Sequence, residues 1–226
     1  MKLTYLGQSA FVMEFNGYNL VFDPMITPNP LASSISLDTL KPNYILLSHG
    51  HEDHVADAEL LAKANNATII SNYEIVSWYE SKGLKGHPMN IGGKRKFDFG
   101  TVKYVAATHS SMLPDGSYGG ASGGFVIWDE KKCFYFAGDT SLTYDMKLIP
   151  MICPALDFAI LPIGDNFTMG YEDAVYAADF IQCDKIIGCH YDTFGYIKID
   201  HQAAINEFKN AGKELILLNI GASIEL

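Results

Sequence analysis

The sequence predicts a mixed α/β (α+β) fold in which helices cover two sheets or one large sheet. Three observations carry this prediction. Alternating apolar residues flank Asn16-Gly17, which favours an antiparallel hairpin between residues 11–15 and Tyr18–Phe22. Residues 44–47 form a continuous apolar run, as in a strand buried on both faces. Helical apolar spacing follows over residues 54–64, so a buried strand feeds a helix.

Further strands and helices are predicted along the rest of the chain. Asp200 stands where the N-cap of a helix would lie. Apolar runs and helical spacing predict strands at 3–6, 68–70, 101–107, 125–128, 133–137, 158–161, 185–189 and 215–218, and helices at 171–181 and 201–211.

Length and composition limit the classes of function. A chain of 226 residues that is 48% hydrophobic can bury one core, so we expect a single domain over residues 1–226. A net charge of −10 repels phosphate backbones, and we therefore expect no nucleic-acid partner. The sequence lacks an apolar run of membrane-spanning length and a secretory signal, which favours a cytoplasmic protein with no membrane partner. The four cysteines show no C-x-x-C spacing and are predicted to be free thiols.

Residues 49–54 are the strongest functional signal. They read His-Gly-His-Glu-Asp-His directly after a predicted buried strand. Residues i and i+2 of an extended segment point the same way, so His49 and His51 could share one metal ion. Asp53 and His54, at the start of the next helix, would serve another ion. The alternative is a polar loop in which Asp53 stabilises a helix N-terminus. Crowding of three imidazoles favours the metal site.

Three more candidate ligands follow predicted strands. His109 follows residues 101–107, Asp139 follows 133–137, and His190 follows 185–189. Ligands at separate strand ends can meet at one edge of a sheet, where α/β folds usually place their sites. His87, in a Gly-rich stretch read as a loop, and His201, at a helix start, are not predicted to be ligands.

Taken in order, these segments resemble a known signature. His49-x-His51-x-Asp53-His54, then His109, then Gly138-Asp139-Thr140, then His190 resemble the ordered motif of the metallo-β-lactamase superfamily. The resemblance covers nearly the whole chain. It implies a four-layer αββα sandwich, the metallo-β-lactamase fold.

The resemblance also implies roles for the candidate residues. His49, His51 and His109 would bind one ion, Asp53, His54 and His190 the second, and Asp139 would bridge them. Asp23 resembles the family's acidic residue that supports the His-x-His loop by accepting a ligand's other N–H. We expect two divalent ions per chain, zinc or manganese first, with iron, nickel or cobalt also compatible, since nitrogen and oxygen ligands admit all of them.

Other segments resemble one compact branch of that superfamily. Gly7-Gln8-Ser9, residues 163–170 and residues 190–194 are similar to those of uncharacterised metal-dependent hydrolases related to ascorbate-6-phosphate lactonase. That branch usually has Asn where this chain has Asp192, which leaves a substrate role for this residue open.

The implied activity is metal-dependent hydrolysis. A hydroxide bridged by two divalent ions would attack a small ester, lactone or phosphoester. Asp53 and Asp139 would act in catalysis as ligands, and Tyr191 or Thr193 would steady the oxyanion unless they only pack beside His190. The centre would be formally positive and would favour a small anionic substrate. The Gly-rich segment 110–124 is predicted to be a mobile substrate loop or a plain connector.

Other functions stay open at this point. Metal-dependent ribonucleases or phosphodiesterases and di-iron redox enzymes also have this fold, although the chain lacks a basic cluster and a fused flavin domain. A noncatalytic scaffold is the remaining alternative. The sequence also leaves a homo-oligomer open.

Overall fold

The computed structural model describes all 226 residues, which form fourteen strands and six α-helices. The strands are β1 (Lys2–Gly7), β2 (Ala10–Phe15), β3 (Tyr18–Phe22), β4 (Tyr44–Leu46), β5 (Thr68–Asn72), β6 (Lys85–Met89), β7 (Lys94–Phe97), β8 (Gly100–Ala106), β9 (Gly123–Trp128), β10 (Cys133–Phe136), β11 (Phe158–Pro162), β12 (Lys185–Cys189), β13 (Glu214–Ile216) and β14 (Ser223–Glu225). The helices are α1 (Glu52–Val55), α2 (Ala58–Asn65), α3 (Tyr73–Glu80), α4 (Ile149–Ile152), α5 (Tyr171–Phe180) and α6 (His201–Asn210). No helix is long and apolar enough to cross a membrane.

The chain divides into two compact units, each with one sheet. The first contains residues 1–91, 110–122 and 219–226, and the second contains residues 92–109 and 123–218. Neither unit is a continuous stretch of sequence. The single-domain expectation therefore stays a prediction.

The sheet of the first unit has seven strands in the order β14-β1-β2-β3-β4-β5-β6. Strands β1 to β3 are antiparallel, and β3 to β6 are parallel. The predicted hairpin is confirmed, because β2 pairs with β3 and Phe15 lies opposite Tyr18. Asn16 and Gly17 both have positive φ, as a two-residue hairpin turn that matches the strand twist requires. Apolar side chains from β4, β5, α2 and α3 form the core of this unit.

The sheet of the second unit also has seven strands, in the order β13-β12-β11-β10-β9-β8-β7. Strands β10 to β13 are parallel, so the carboxyl ends of β10, β11 and β12 lie at one edge of the sheet. Helices α5 and α6 contribute Ala177, Ala178, Ala204 and Phe208 to the core of this unit. The N-cap role predicted for Asp200 is confirmed, since its side chain accepts from the backbone N–H groups of Gln202 and Ala203.

One predicted helix is divided in the structure, and five elements were not predicted. The helix predicted over 54–64 is two helices, α1 and α2, which are separated at Asp57 because this residue hydrogen-bonds to the segment after β3. Its carboxylate accepts from the backbone N–H groups of Ile26 and Thr27 at 2.6 and 2.8 Å. His87 was expected in a loop and instead lies in β6. Strands β6, β7 and β14 and helices α3 and α4 were not predicted.

Candidate metal centre

The His-x-His segment follows β4 in the first unit. His49 is fully buried, and its Nε2 lies 2.9 Å from Nδ1 of His51. A Cβ at Gly50, between the two histidines, would lie 3.0 Å from the carbonyl oxygen of Met112, so a small residue suits this position. The two imidazoles therefore aim ring nitrogens at one point, as a shared cation requires.

Asp53 and His54 lie on α1, one turn further along the chain. His54 Nε2 is 3.3 Å from Oδ2 of Asp53. The same carboxylate oxygen accepts a hydrogen bond from Nε2 of Gln8 at 3.0 Å. Gln8 is fully buried in the turn after β1 and has a φ of 52°. This turn was noted in the sequence only through a resemblance, and the contact of Gln8 with Asp53 was not predicted.

Asp23 contacts His54 directly and is linked to His49 through Ser48. It is fully buried, and its Oδ2 lies 2.7 Å from Nδ1 of His54. Its Oδ1 accepts the backbone N–H of Ser48 at 2.8 Å, and Ser48 Oγ lies 3.0 Å from Nδ1 of His49. Ligand atoms of Asp23, His49 and His54 all lie within 4.8 Å of one another. Asp23 thus holds the Nδ1 side of His54 and leaves Nε2 directed toward Asp53.

Two opposing effects act on the Asp23 carboxyl. Burial raises its pKa above the usual range, because the charged form is poorly solvated. The contact with His54 and the hydrogen bonds from Ser48 act in the opposite direction. A cation at the imidazoles would strengthen the second effect.

The second unit brings together Asp139, His190 and His109. Asp139 and His190 are each 2% exposed. Oδ2 of Asp139 lies 3.0 Å from Nε2 of His190 and 3.6 Å from Nε2 of His109. One carboxylate oxygen therefore faces two imidazole nitrogens.

A tight turn after β12 directs His190. His190 has a φ of 55° and Asp192 a φ of 64°, both in the left-handed region. Gly164 packs against this turn, because a Cβ at this position would lie 2.0 Å from the carbonyl oxygen of His190. A side chain at residue 164 would displace the backbone of His190. Both segments were noted in the sequence only through a resemblance, and the contact between Gly164 and His190 was not predicted.

Hydrogen bonds connect the ligand loops of the second unit. The backbone N–H of Thr108 donates to Oγ1 of Thr140 at 3.0 Å, and that of Ser141 donates to the carbonyl of Thr108 at 3.2 Å. The backbone N–H of Met169 donates to the carbonyl of Thr140 at 3.0 Å. The loop after β11 is thereby fixed to the loop that carries Asp139.

The residues around His190 have structural partners. Tyr191 is 7% exposed, belongs to the apolar core, and packs edge-on against His201 with ring centroids 5.4 Å apart. Burial raises the pKa of its phenol, which stays protonated at neutral pH. Asp192 closes the loop over residues 190–200: its Oδ2 lies 2.6 Å from His201 Nε2, and its Oδ1 accepts the backbone N–H of Ile199 at 3.2 Å. The oxyanion role of Tyr191 stays a prediction.

The Gly-rich segment is held at several points within the first unit. The side-chain amide of Asn72 donates to two backbone carbonyls of residues 110–122, at 2.7 and 3.1 Å. Trp78 Nε1 donates to Asp115 at 2.7 Å. These contacts fix the segment at Asp115, Gly119 and Ala121, and its exposed side chains include Met112 and Tyr118.

The donor set fits divalent metal ions. Within each unit, imidazole nitrogens and carboxylate oxygens converge at distances of 2.9 to 3.6 Å. Buried atoms of this kind repel one another unless protons or a cation lie between them. Imidazole and carboxylate are ligands suited to zinc, manganese and iron.

Comparison with known proteins agrees with this chemistry. Residues 18–191 match the family described as beta-lactamase superfamily domain. A UPF0173 metal-dependent hydrolase from Flavobacterium johnsoniae is 59% identical over 226 residues, and the alignment covers all of both chains. YtkL from Bacillus subtilis, also named a UPF0173 metal-dependent hydrolase, is 42% identical over 232 residues and is likewise covered in full.

A solved structure shows the same fold. Igni18, described as a novel metallo hydrolase from Ignicoccus hospitalis, is 33% identical with a TM-score of 0.89, over 100% of this chain and 98% of that chain. The predicted fold class and the predicted enzyme class, a metal-dependent hydrolase, are confirmed. The chain therefore belongs to the beta-lactamase superfamily and, within it, to the UPF0173 family of metal-dependent hydrolases.

Proposed function

We propose that the chain binds two divalent ions and hydrolyses a small ester, lactone or phosphoester. One observation carries the dinuclear part of this proposal. A single oxygen of Asp139 faces both His190 and His109, at 3.0 and 3.6 Å. These histidines are the expected ligands of different ions, which supports our proposal that Asp139 is a ligand shared by both. The proposed first ion takes His49, His51 and His109, the second takes Asp53, His54 and His190, and Asp139 joins both.

The ligand residues and the residues that orient them have different roles in the proposed reaction. Two divalent ions would supply positive charge and lower the pKa of a shared water toward neutrality. Asp23 and Ser48 hold the imidazoles of His54 and His49 in orientation, so little reorganisation is needed during the reaction. In the hydrolysis, the water oxygen adds to the carbonyl carbon or phosphorus and the bond to the leaving oxygen breaks. The proton that the water loses passes to that leaving oxygen.

Charge supports an anionic substrate. The carboxylates of Asp53 and Asp139 would not neutralise two divalent ions, so the loaded centre would be positive. Surface carboxylates beyond about 8 to 10 Å are screened at physiological salt, and the nearest charges decide the local potential. We propose Tyr191, which directly follows the candidate ligand His190 in the chain, as a secondary donor to the developing oxyanion. Zinc and manganese are the ions that we propose first.

Metal analysis of purified protein tests the centre. After reconstitution, we expect about two metal equivalents per chain in the wild type and in His87→Ala, which removes a partly buried histidine of β6 outside the ligand set. His190→Ala should bind fewer. Less than about one equivalent in the wild type, or unchanged occupancy in His190→Ala, contradicts the dinuclear proposal.

An activity screen tests the reaction. The metal-loaded enzyme should hydrolyse at least one member of a panel of lactones, phosphodiesters and phosphomonoesters, assayed with zinc, manganese, iron, nickel and cobalt in turn. Metal-dependent turnover that is lost in Asp139→Ala supports the proposal. Turnover of none of these compounds with any metal contradicts it, and cleavage of generic RNA favours a ribonuclease instead.

A further inference from the structure

Exposed aromatic side chains lie on the two loops beside His190. Phe167 is on the loop after β11 and is 50% exposed. Phe194 and Tyr196 are on the loop after β12 and are 37% and 79% exposed. Because β11 and β12 are parallel neighbours, both loops leave the sheet at the edge where His190 follows β12. The aromatic rings and this histidine therefore share one edge of the sheet.

The backbone beneath these rings is well anchored. Ile163, Met169 and Ile197 are buried, and Gly164 and Gly170 pair across the base of the first loop. Near the tip of this loop, Asp165 and Asn166 have φ values of 61° and 55°. Left-handed backbone at successive non-glycine residues is uncommon and persists where surrounding contacts impose it. The loop thus presents Phe167 at its tip and buries the apolar residues on either side.

Phe167 and Tyr196 also contact each other. Their ring centroids are 6.1 Å apart with an interplanar angle of 76°, an edge-to-face arrangement. Scattered exposed apolar residues need no explanation. Two rings paired across neighbouring loops form a small apolar surface instead, and it is continuous with a loop that hydrogen-bonds to the Asp139 segment.

We propose that Phe167 and Tyr196 bind an apolar ring of the substrate, so that the substrate class is esters or lactones with an aryl-sized group near the bond that is cleaved. This inference rests on the proposed function, since the occupant is the substrate of the same centre. A planar group packs against the paired rings through offset or edge contacts and removes apolar area from water.

The size of the surface favours a small molecule over a second protein. A stable protein interface buries about 1,200 to 2,000 Å² in total, whereas an aromatic side chain buries only about 150 to 250 Å². The area that two partly exposed rings can bury is close to the value for one aromatic side chain and far below that of a protein interface. Contact between two copies of the chain is therefore an outcome that the test must separate.

Tyr144 provides a matched control. It is 75% exposed, close to the value for Tyr196, and it stacks on Phe180 with ring centroids 5.5 Å apart. Phe180 ends α5, the helix that leads back to the start of β12. Tyr144 therefore lies toward the opposite edge of the same sheet, and its removal should leave the ring contact intact.

Ligand binding tests the proposal without turnover. The probes are acetohydroxamate and phenylacetohydroxamate, which share a metal-chelating group and differ in the phenyl ring. Calorimetric titration of zinc-loaded wild type and Tyr144→Ala should show about tenfold tighter binding of the phenyl compound. The double variant Phe167→Ala/Tyr196→Ala should lose most of this preference, and Tyr196→Ala alone should lose part of it. Circular dichroism checks that each variant is folded.

The outcomes separate this inference from the proposed function. No phenyl preference in the wild type, or the same preference in the double variant, overturns the ring contact even if the enzyme hydrolyses esters. A preference that disappears in the double variant supports it even if the activity screen finds no turnover, which would count against the hydrolysis proposal alone. Self-association of the wild type that the double variant abolishes, without any phenyl preference, assigns the surface to contact between copies and overturns the inference.

Discussion

Gly164→Ala should displace the backbone that carries His190. The added Cβ would lie 2.0 Å from the carbonyl oxygen of His190 and 3.0 Å from Cβ of Ile197. Real Cβ atoms essentially never approach another heavy atom within 3.0 Å, so residue 164 and the His190 carbonyl must separate by about 1 Å. Overpacking of this kind costs about 1 to 3 kcal/mol. At about 2 to 4 °C per kcal/mol for a chain of this length, the Tm should fall by about 2 to 12 °C.

The matched control is Gly195→Ala on the neighbouring loop. A Cβ at Gly195 meets no atom within 4 Å, and its φ lies outside the left-handed region. Its free energy of unfolding should change by less than about 0.5 kcal/mol. Differential scanning calorimetry gives the Tm, and titration with zinc gives the affinity, which should fall only in Gly164→Ala. If the two variants show the same Tm and the same zinc affinity, the packing of Gly164 against His190 does not determine the position of this histidine, and the reasoning is refuted.

Three further results are expected. Asp139→Ala should reduce kcat and metal content far more than Tyr191→Phe. Loss of one oxyanion donor lowers the rate by about 10² to 10³, whereas Asp139 is the proposed ligand of both ions. Equal small losses in both variants would contradict these roles. Cys133 and Cys183 should react slowly with a thiol reagent at neutral pH until the chain unfolds, because burial raises the pKa of their thiols to about 12 and about 11; rapid labelling of the folded protein would refute this. Of two substrates that differ only in a distal phosphate, the charged one should have the higher kcat/KM, and an equal or higher value for the neutral one would argue against a positive centre.

Local sequence patterns were enough to predict most of the fold. The bounds of Tyr18–Phe22 and Lys185–Cys189 agree with the structure, since apolar runs ending at turn residues are local signals. Strands without an apolar pattern were missed. Lys94–Phe97 reads Lys-Arg-Lys-Phe, and it is a strand because it pairs with β8 at the edge of its sheet. Such pairing depends on distant residues, which a propensity argument does not consider.

The candidate ligands could be predicted because their chemistry is concentrated in few positions. Three histidines in residues 49–54 are visible without any structure. Their supports were harder to find. Gln8 reaches Asp53 across 45 residues, and nothing in the local sequence indicates that the two side chains touch. The same holds for Gly164, whose contact with the loop after β12 exists only in the folded chain.

The sheet of the first unit is completed by a strand from the far end of the sequence. Strand β14 pairs with β1, and Lys2 lies opposite Glu225. During synthesis from the N-terminus, the side of β1 that faces β14 therefore lacks its hydrogen-bonding partners until residues 221–225 have been made. An unpaired strand edge can recruit other chains and begin aggregation. Removal of residues 223–225 would leave that edge of β1 without its strand partner and lower the yield of soluble protein more than their small contribution to the core implies.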